Sequence, residues 1–246
     1  MSGMDTAPYQ QFAEAKLGGR FENVEILVTA FTHRSYVNEH KKSTSQHNER
    51  LEFLGDAVLE LVVTQALYTT YAEPEGILTN WRAALVRTES ISAAASRLNF
   101  MPMMRLSRGE KQGSERARQQ ILANAFEAVT GALYLEKGYD AAKLFITENI
   151  LSTLQGILDS GSWRDGKSHL QEVAQSVDGH TPQYRVLHEE GPDHDKIFTL
   201  GVFVGDKLLG KGEGPSKQFA QQKAAEAALI YYSAQRELID NSAKNR

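Results

Sequence analysis

Along the first 158 residues the apolar positions recur every three or four places and nowhere alternate cleanly at two, the pattern of amphipathic helices rather than strands. It predicts helices near 9–17, 23–30, 48–71, 77–98, 118–135 and 139–158. Breaks fall at "LGGRFEN", at the polar "NEHKKSTSQH", at "EPEG" and at "RLSRGEKQGSERARQ". This part of the chain reads as all-α.

After the small and polar stretch "SGSWRDGKS" the pattern changes. "HLQEVAQSV" keeps Leu170, Val173, Ala174 and Val177 on one helical face, but "PQYRVLHEE" and "KIFTLGVFVG" read as strands, with Phe198, Leu200, Val202 and Val204 alternating in the second. "DKLLGKGEG" is a short third strand, and an alanine-rich helix from Ser216 to about Tyr232 closes an α-β-β-β-α order, a compact α+β module. The expected organisation is an all-helical domain at 9–159, a linker at 160–166, the α+β domain at 167–233 and a polar, frayed tail at 234–246. No internal repeat is visible.

Composition narrows the class. With 41% hydrophobic and 24% charged residues the chain is expected to fold as a soluble globular protein. No apolar run approaches the roughly 18 residues of a membrane span; "AVLELVVTQALY" is interrupted by Glu60, Thr64 and Gln65. "MSGMDTAPYQQ" lacks the basic-then-apolar pattern of a secretory signal. The absence of cysteine excludes disulfides, thiolate nucleophiles and sulfur-ligated metals. A cytoplasmic location with no membrane partner is therefore expected. The net charge of −4 argues, by itself, against a nucleic-acid partner.

The stretch "NERLEFLGD" gives the first chemical signal. On a helix, steps of about 100° bring Glu49, Glu52, Asp56 and Glu60 into one narrow arc, opposite Leu51, Leu54, Val58, Leu61 and Val62. Like charges at this spacing cost a few tenths of a kcal/mol each, and Gly55 in the helix interior costs about 1 kcal/mol relative to alanine. A solvated face whose acids complement the helix dipole is one explanation. A divalent-cation site is the other, because hard ions take carboxylate and amide oxygens. The second is favoured by "ILANAFEAVTGALYL", apolar on nearly every side except Asn124 and Glu127, which share a face; a helix this apolar is buried, and buried glutamate needs a partner or a metal. Thr130 and Gly131 leave room beside Glu127. If these faces pack together, Glu52, Asp56, Asn124 and Glu127 form an all-oxygen cage; a pairing of Glu127 with Arg50 or Arg87 is the alternative.

"HNERLEFLGDAVLELVV" resembles the signature of the bacterial ribonuclease III family, endonucleases that cut double-stranded RNA. The similarity runs from about Gln10 to Tyr232 and includes, in the family's order, "AFTHRSYVNE", "EGILTNWRAALVRTESISAAA", "LSRGEKQGSERARQQILANAFEAVTGALYLEKGY", "LQE", "GPDH" and "GKGEGPSK". The resemblance implies an all-helical, dimerising endonuclease domain followed by a double-stranded-RNA-binding domain. By position, Glu52, Asp56 and Glu127 match the family's metal-binding and catalytic acids. Glu49 matches the acid that helps to hold the RNA backbone and the active site in order, and Phe53 matches an aromatic that inserts into the partner subunit. Asn124 departs from the pattern, since many members have aspartate there. The implied reaction is Mg²⁺-dependent hydrolysis of an RNA phosphodiester, with Mn²⁺ as a substitute, leaving a 5′-phosphate and a 3′-hydroxyl. It needs no small-molecule cofactor and no histidine base, so His33 and His47 are read as structural.

The second domain carries seven Lys and Arg against ten Asp and Glu between Asp165 and Tyr232. Placement has to decide. Ser216 is a good N-cap, yet Lys217 puts a positive charge at the positive end of the helix dipole, which makes sense for a phosphate site. In the domains this module resembles, the second helix grips phosphates while the first helix and the first strand loop touch successive minor grooves. Gln171, Glu172, His194, Ser216, Lys217 and Lys223 are then the expected RNA contacts. Gln218 and Gln221 stand where further lysines are frequent. Most other positive charge lies in the loop of Arg105, Arg108, Lys111, Arg116 and Arg118, against Glu110 and Glu115; Arg108 and Lys111 are its expected RNA contacts. A catalytically silent RNA-binding relative and a small-molecule phosphohydrolase are the rival functions. Retention of the acids argues against the first, and the appended domain against the second.

Overall fold

The computed structural model describes residues 5–40, 46–161, 163, 166–192 and 196–244, with side chains as far as Ser233 and at Gln235. The chain divides after Trp163 into two compact units. The first contains α1 (Ala7–Lys16), α2 (Val24–Ala30), α3 (Arg34–Glu39), α4 (Glu49–Thr70), α5 (Glu75–Val86), α6 (Thr88–Arg97), α7 (Arg108–Lys111), α8 (Glu115–Asn149) and α9 (Leu154–Ser160). Short 3₁₀ turns stand at Met101–Met103 and Leu151–Thr153.

Helix α8 is the centre of this unit. Its buried residues lie on every side, from Ile121 and Leu122 through Phe126 and Val129 to Leu133 and Phe145, because α2, α4 and α6 all pack on it. Phe31, Phe100, Phe126 and Phe145 stack successively with ring centroids 5.0–6.2 Å apart, and Phe12 joins them edge-on. Such pairs add about 0.5–1.5 kcal/mol each beyond area burial.

Three differences from the sequence pattern have local causes. The stretch at 77–98 is two helices, because Arg87 takes an extended backbone (ψ 153°) while the apolar period continues across it. The helices expected at 118–135 and 139–158 meet without a loop at Gly138, whose φ of 82° suits glycine; the second stops at Asn149. Helices α3 and α7, of six and four residues, are too short to show a period. Ser107 caps α7 by accepting from the Glu110 N–H, and Ser114 caps α8 by accepting from the Ala117 N–H.

The second unit contains α10 (Gly166–Asp178), β1 (Gln183–Glu190), β2 (Ile197–Val204), β3 (Lys207–Gly214) and α11 (Lys217–Lys244). The strands form an antiparallel sheet in the order β1-β2-β3. Leu170 and Ala174 of α10, Val202 and Val204 of β2, and Ala224, Ala225 and Ala228 of α11 make its core. The alanines are explained by β3: a Cβ on Gly212 would lie 2.3 Å from the Ala220 carbonyl oxygen, so α11 lies directly on the strand. Helix α11 runs to Lys244, so the frayed tail expected at 234–246 is replaced by a continuous helix as far as that residue.

Candidate active site

Glu52 and Asp56 stand one turn apart on α4, and Asn124 and Glu127 three residues apart on α8. The two pairs meet because side chains are missing where the helices cross. A Cβ on Gly55 would lie 1.7 Å from the Glu127 carbonyl oxygen, and one on Gly131 2.3 Å from that of Leu51. The helices therefore touch backbone to backbone, and the helix propensity lost at Gly55 secures that contact. Thr130 beside the crossing is fully buried and returns its hydroxyl to the Phe126 carbonyl (2.9 Å).

The electrostatics follow from the crossing. Burial first, and then the charges of Asp56 and Glu52, push the half-buried Glu127 carboxyl up to about 8. Glu52 is raised by burial, by Glu49 and by Asp56, while a hydrogen bond from Asn124 acts in the opposite direction. No cation is among these causes. Among the described residues, no Lys, Arg or His forms an ion pair with Glu52, Asp56 or Glu127. The pairing of Glu127 with Arg50 or Arg87 is thus not formed.

As placed, no three His, Cys, Asp or Glu side chains among the described residues are close enough together to hold a metal ion. The donor chemistry nevertheless fits a hard divalent cation. Glu52, Asp56 and Glu127 offer only oxygen, two of them are partly withdrawn from water, and the protein gives them no counter-charge. The crowding that raises their proton affinity also favours a cation.

Glu49, exposed at the start of α4, pairs with Arg34 (3.4 Å) and approaches His47 (3.8 Å). Spacing along α4 offered no such partner; Arg34 comes from the unforeseen α3. His33 caps that helix, its Nδ1 accepting from the Ser35 N–H at 3.3 Å, and burial pushes its pKa down. Arg105 is half-buried, donates to Thr32 Oγ1 (3.1 Å) and lies 4.3 Å over the Tyr36 ring, so it holds the fold rather than offering a free charge. Arg108, Lys111, Arg116 and Arg118 are exposed.

A family model described as Ribonuclease-III-like matches residues 23–154, and one described as Double-stranded RNA binding motif matches 167–232. The chain is 44% identical over 217 residues to Ribonuclease 3 of Protochlamydia amoebophila, covering 88% of this chain and 89% of that one. It is 46% identical over 213 residues to Ribonuclease 3 of Enterococcus faecalis, covering 85% and 91%. This chain belongs to the ribonuclease III family. Among solved structures, the nuclease domain of ribonuclease III from Campylobacter jejuni matches with a TM-score of 0.51 and 36% identity, covering 57% of this chain and 98% of that one. The helical nuclease domain followed by the three-stranded α+β domain is the ribonuclease III architecture, and the chain is an endoribonuclease.

In this ribonuclease III, Phe53 is 80% exposed. It begins a stripe on α4, Phe53, Ala57, Leu61, Thr64 and Tyr68, in which every side chain is exposed. A hollow beside it is lined by Ile26, Thr29, Leu51, Leu54 and Leu135 together with Phe53 itself. A projecting aromatic next to an apolar hollow is self-complementary under a two-fold axis.

In the α+β domain Gln171 and Glu172 are exposed on α10. Ser216 caps α11 by accepting from the Phe219 N–H at 3.2 Å. Lys217 is paired with Glu189 of β1 (3.0 Å), whose carboxyl it holds below the usual range, and Lys196 reaches the same carboxylate at 3.7 Å. Lys223 is paired with Glu226 (2.8 Å). Sequence spacing shows the second of these pairs but cannot show the first. A hollow between α10 and the start of α11 is lined by Lys167, Gln171, Tyr184, Ser216 and Phe219. His194 lies outside the described residues.

Proposed function

We propose that this ribonuclease III is a homodimeric, Mg²⁺-dependent endonuclease that hydrolyses phosphodiesters of double-stranded RNA, leaving 5′-phosphate and 3′-hydroxyl ends. The observation that carries the reading is the glycine-to-glycine crossing of α4 and α8, which gathers Glu52, Asp56 and Glu127 without any internal cation. Mg²⁺, or Mn²⁺ in its place, would be held by these carboxylates and would supply Lewis-acid polarisation of the phosphoryl group and activation of water. Asp56 and Glu127 are the catalytic acids. Glu49, steadied by Arg34, orders the α4 end of the site and the approaching backbone.

Gln171, Glu172 and His194 are assigned to minor-groove contact. Ser216, Lys217 and Lys223 at the start of α11, with Arg108 and Lys111 of the nuclease domain, are assigned to phosphates. The exposed stripe led by Phe53 supports a homodimer, whose two sites would cut opposite strands. Precursors of ribosomal, messenger and transfer RNA are the proposed substrates, in the cytoplasm. No helix among the described residues is long and apolar enough to cross a membrane.

The test is cleavage of a long RNA duplex by the full chain with Mg²⁺, with EDTA, and with Glu127→Gln. Cutting is expected in the first case alone. An unmutated protein that binds the duplex without cutting it in Mg²⁺ would sink the activity, and cutting that survives the substitution would sink the site.

A further inference from the structure

Gln120, Asn124 and Glu127 follow one another on α8 at spacings of four and three, so all project over one face of the helix. The Gln120 amide nitrogen donates to Asn124 Oδ1 at 2.7 Å. The Asn124 side chain also hydrogen-bonds the Glu52 carboxylate, which stabilises the ionised form. An ionised carboxylate only accepts, so it is the amide nitrogen of Asn124 that faces Glu52. The two bonds specify the same orientation: oxygen toward Gln120, nitrogen toward the acids. Turning the amide over would break both and bring the Gln120 and Asn124 NH₂ groups face to face.

We propose that Gln120 is a positioning residue that sets the polarity of Asn124, holding it as a hydrogen-bond donor to Glu52 and withholding its oxygen from the cation. This rests on the assignment of the cation to Glu52, Asp56 and Glu127. The inference changes what asparagine does at a position where aspartate is frequent. Instead of a weaker oxygen ligand, it is a neutral clamp that keeps Glu52 ionised and in place beside Glu49 and Asp56. The orientation is fixed from one helical turn away, by a residue that faces solvent and touches none of the acids itself.

The test uses the full chain and Ca²⁺ as a probe ion, with binding measured by titration calorimetry in the absence of RNA. Gln120→Met keeps the length of the side chain and removes its donor, so that Asn124 can turn its oxygen to the ion. Ca²⁺ affinity is expected to tighten about five-fold, which at about 1.4 kcal/mol per tenfold is about 1 kcal/mol, the net worth of one neutral hydrogen bond. Gln120→Glu, which can only accept, should turn the amide over and tighten binding further. In an Asn124→Ala background Gln120→Met should change nothing, and the same pattern should appear in the Mg²⁺ concentration that gives half-maximal cleavage. No change with Asn124 present, or an equal change in both backgrounds, would overturn the inference while leaving the cation site standing. Ca²⁺ binding indifferent to Glu127→Gln would instead overturn the site, and the inference with it.

Discussion

Replacing Glu127 by glutamine should make the protein more stable in EDTA, and the gain should grow with pH. The crossing of α4 and α8 pushes this carboxyl from 4.5 up to about 8, through burial and the neighbouring Asp56 and Glu52. Below 4.5 the group is protonated in both the folded and the unfolded chain and contributes nothing. Between 4.5 and about 8 the unfolded chain releases the proton while the folded one keeps it, so stability falls as pH rises. Above that range both states are ionised and the full cost is present. At about 1.4 kcal/mol per pH unit, the interval sets a ceiling of about 5 kcal/mol, and partial exposure with solvent screening lowers this to roughly 2–3 kcal/mol.

Glutamine has nearly the same shape and never ionises, so it escapes that cost. Urea unfolding and thermal melting in EDTA at pH 5 and pH 8.5 measure it. The two proteins should be nearly equal at pH 5. At pH 8.5 the variant should lead by roughly 2–3 kcal/mol, or about 5–10 °C for a unit of this size. Adding Mg²⁺ at pH 8.5 should stabilise the unmutated chain by mass action and the variant much less. A gap that does not change with pH, or a variant less stable at pH 8.5, would refute the reasoning that the crossing confines an uncompensated carboxylate.

The other expectations concern the frame around the site. Gly55→Ala sets a methyl group against the Glu127 carbonyl, which no rotamer can relieve, and should cost about 3 kcal/mol or more in urea unfolding; unchanged stability would contradict the backbone contact. Phe53→Ala should leave the circular dichroism spectrum unchanged and shift micromolar protein to the monomer in sedimentation velocity, whereas a persistent dimer would remove Phe53 from the interface. Lys217→Ala should reduce the slope of log binding constant against log salt for duplex RNA by about 0.9, and Gln171→Ala should weaken binding without altering the slope. Equal slopes for the two variants would mean that Lys217 meets no phosphate.

What the sequence made legible depended on whether a residue's role is local in the chain. Glu52 and Asp56 lie on one arc because a helix places them there, and Glu127 stands out because its helix is otherwise apolar; both facts need only the period of 3.6 residues. Arg34 escaped notice because its helix is six residues long and its partner, Glu49, belongs to another element. The break at Arg87 escaped because the apolar period runs straight across it, and periodicity records which faces are buried, not where the backbone turns. Asn124 was visible as a polar residue facing the acids, but which end of its amide meets them is decided by Gln120, and spacing carries no information about a dipole's direction.

Charge in the second domain makes the same point more sharply. Its excess of acids counts against a polyanion only if every acid is equally free. Glu189 is held by Lys217 and Lys196, so the acid and the phosphate-binding lysine are a single unit across β1 and α11. Phosphate binding at Lys217 is then an exchange of one anion for another, with Glu189 released as the RNA arrives. Such an exchange lowers the net gain in contacts without removing the phosphate site, which is why the salt slope of the Lys217 variant, and not the charge balance of the domain, measures what this helix does.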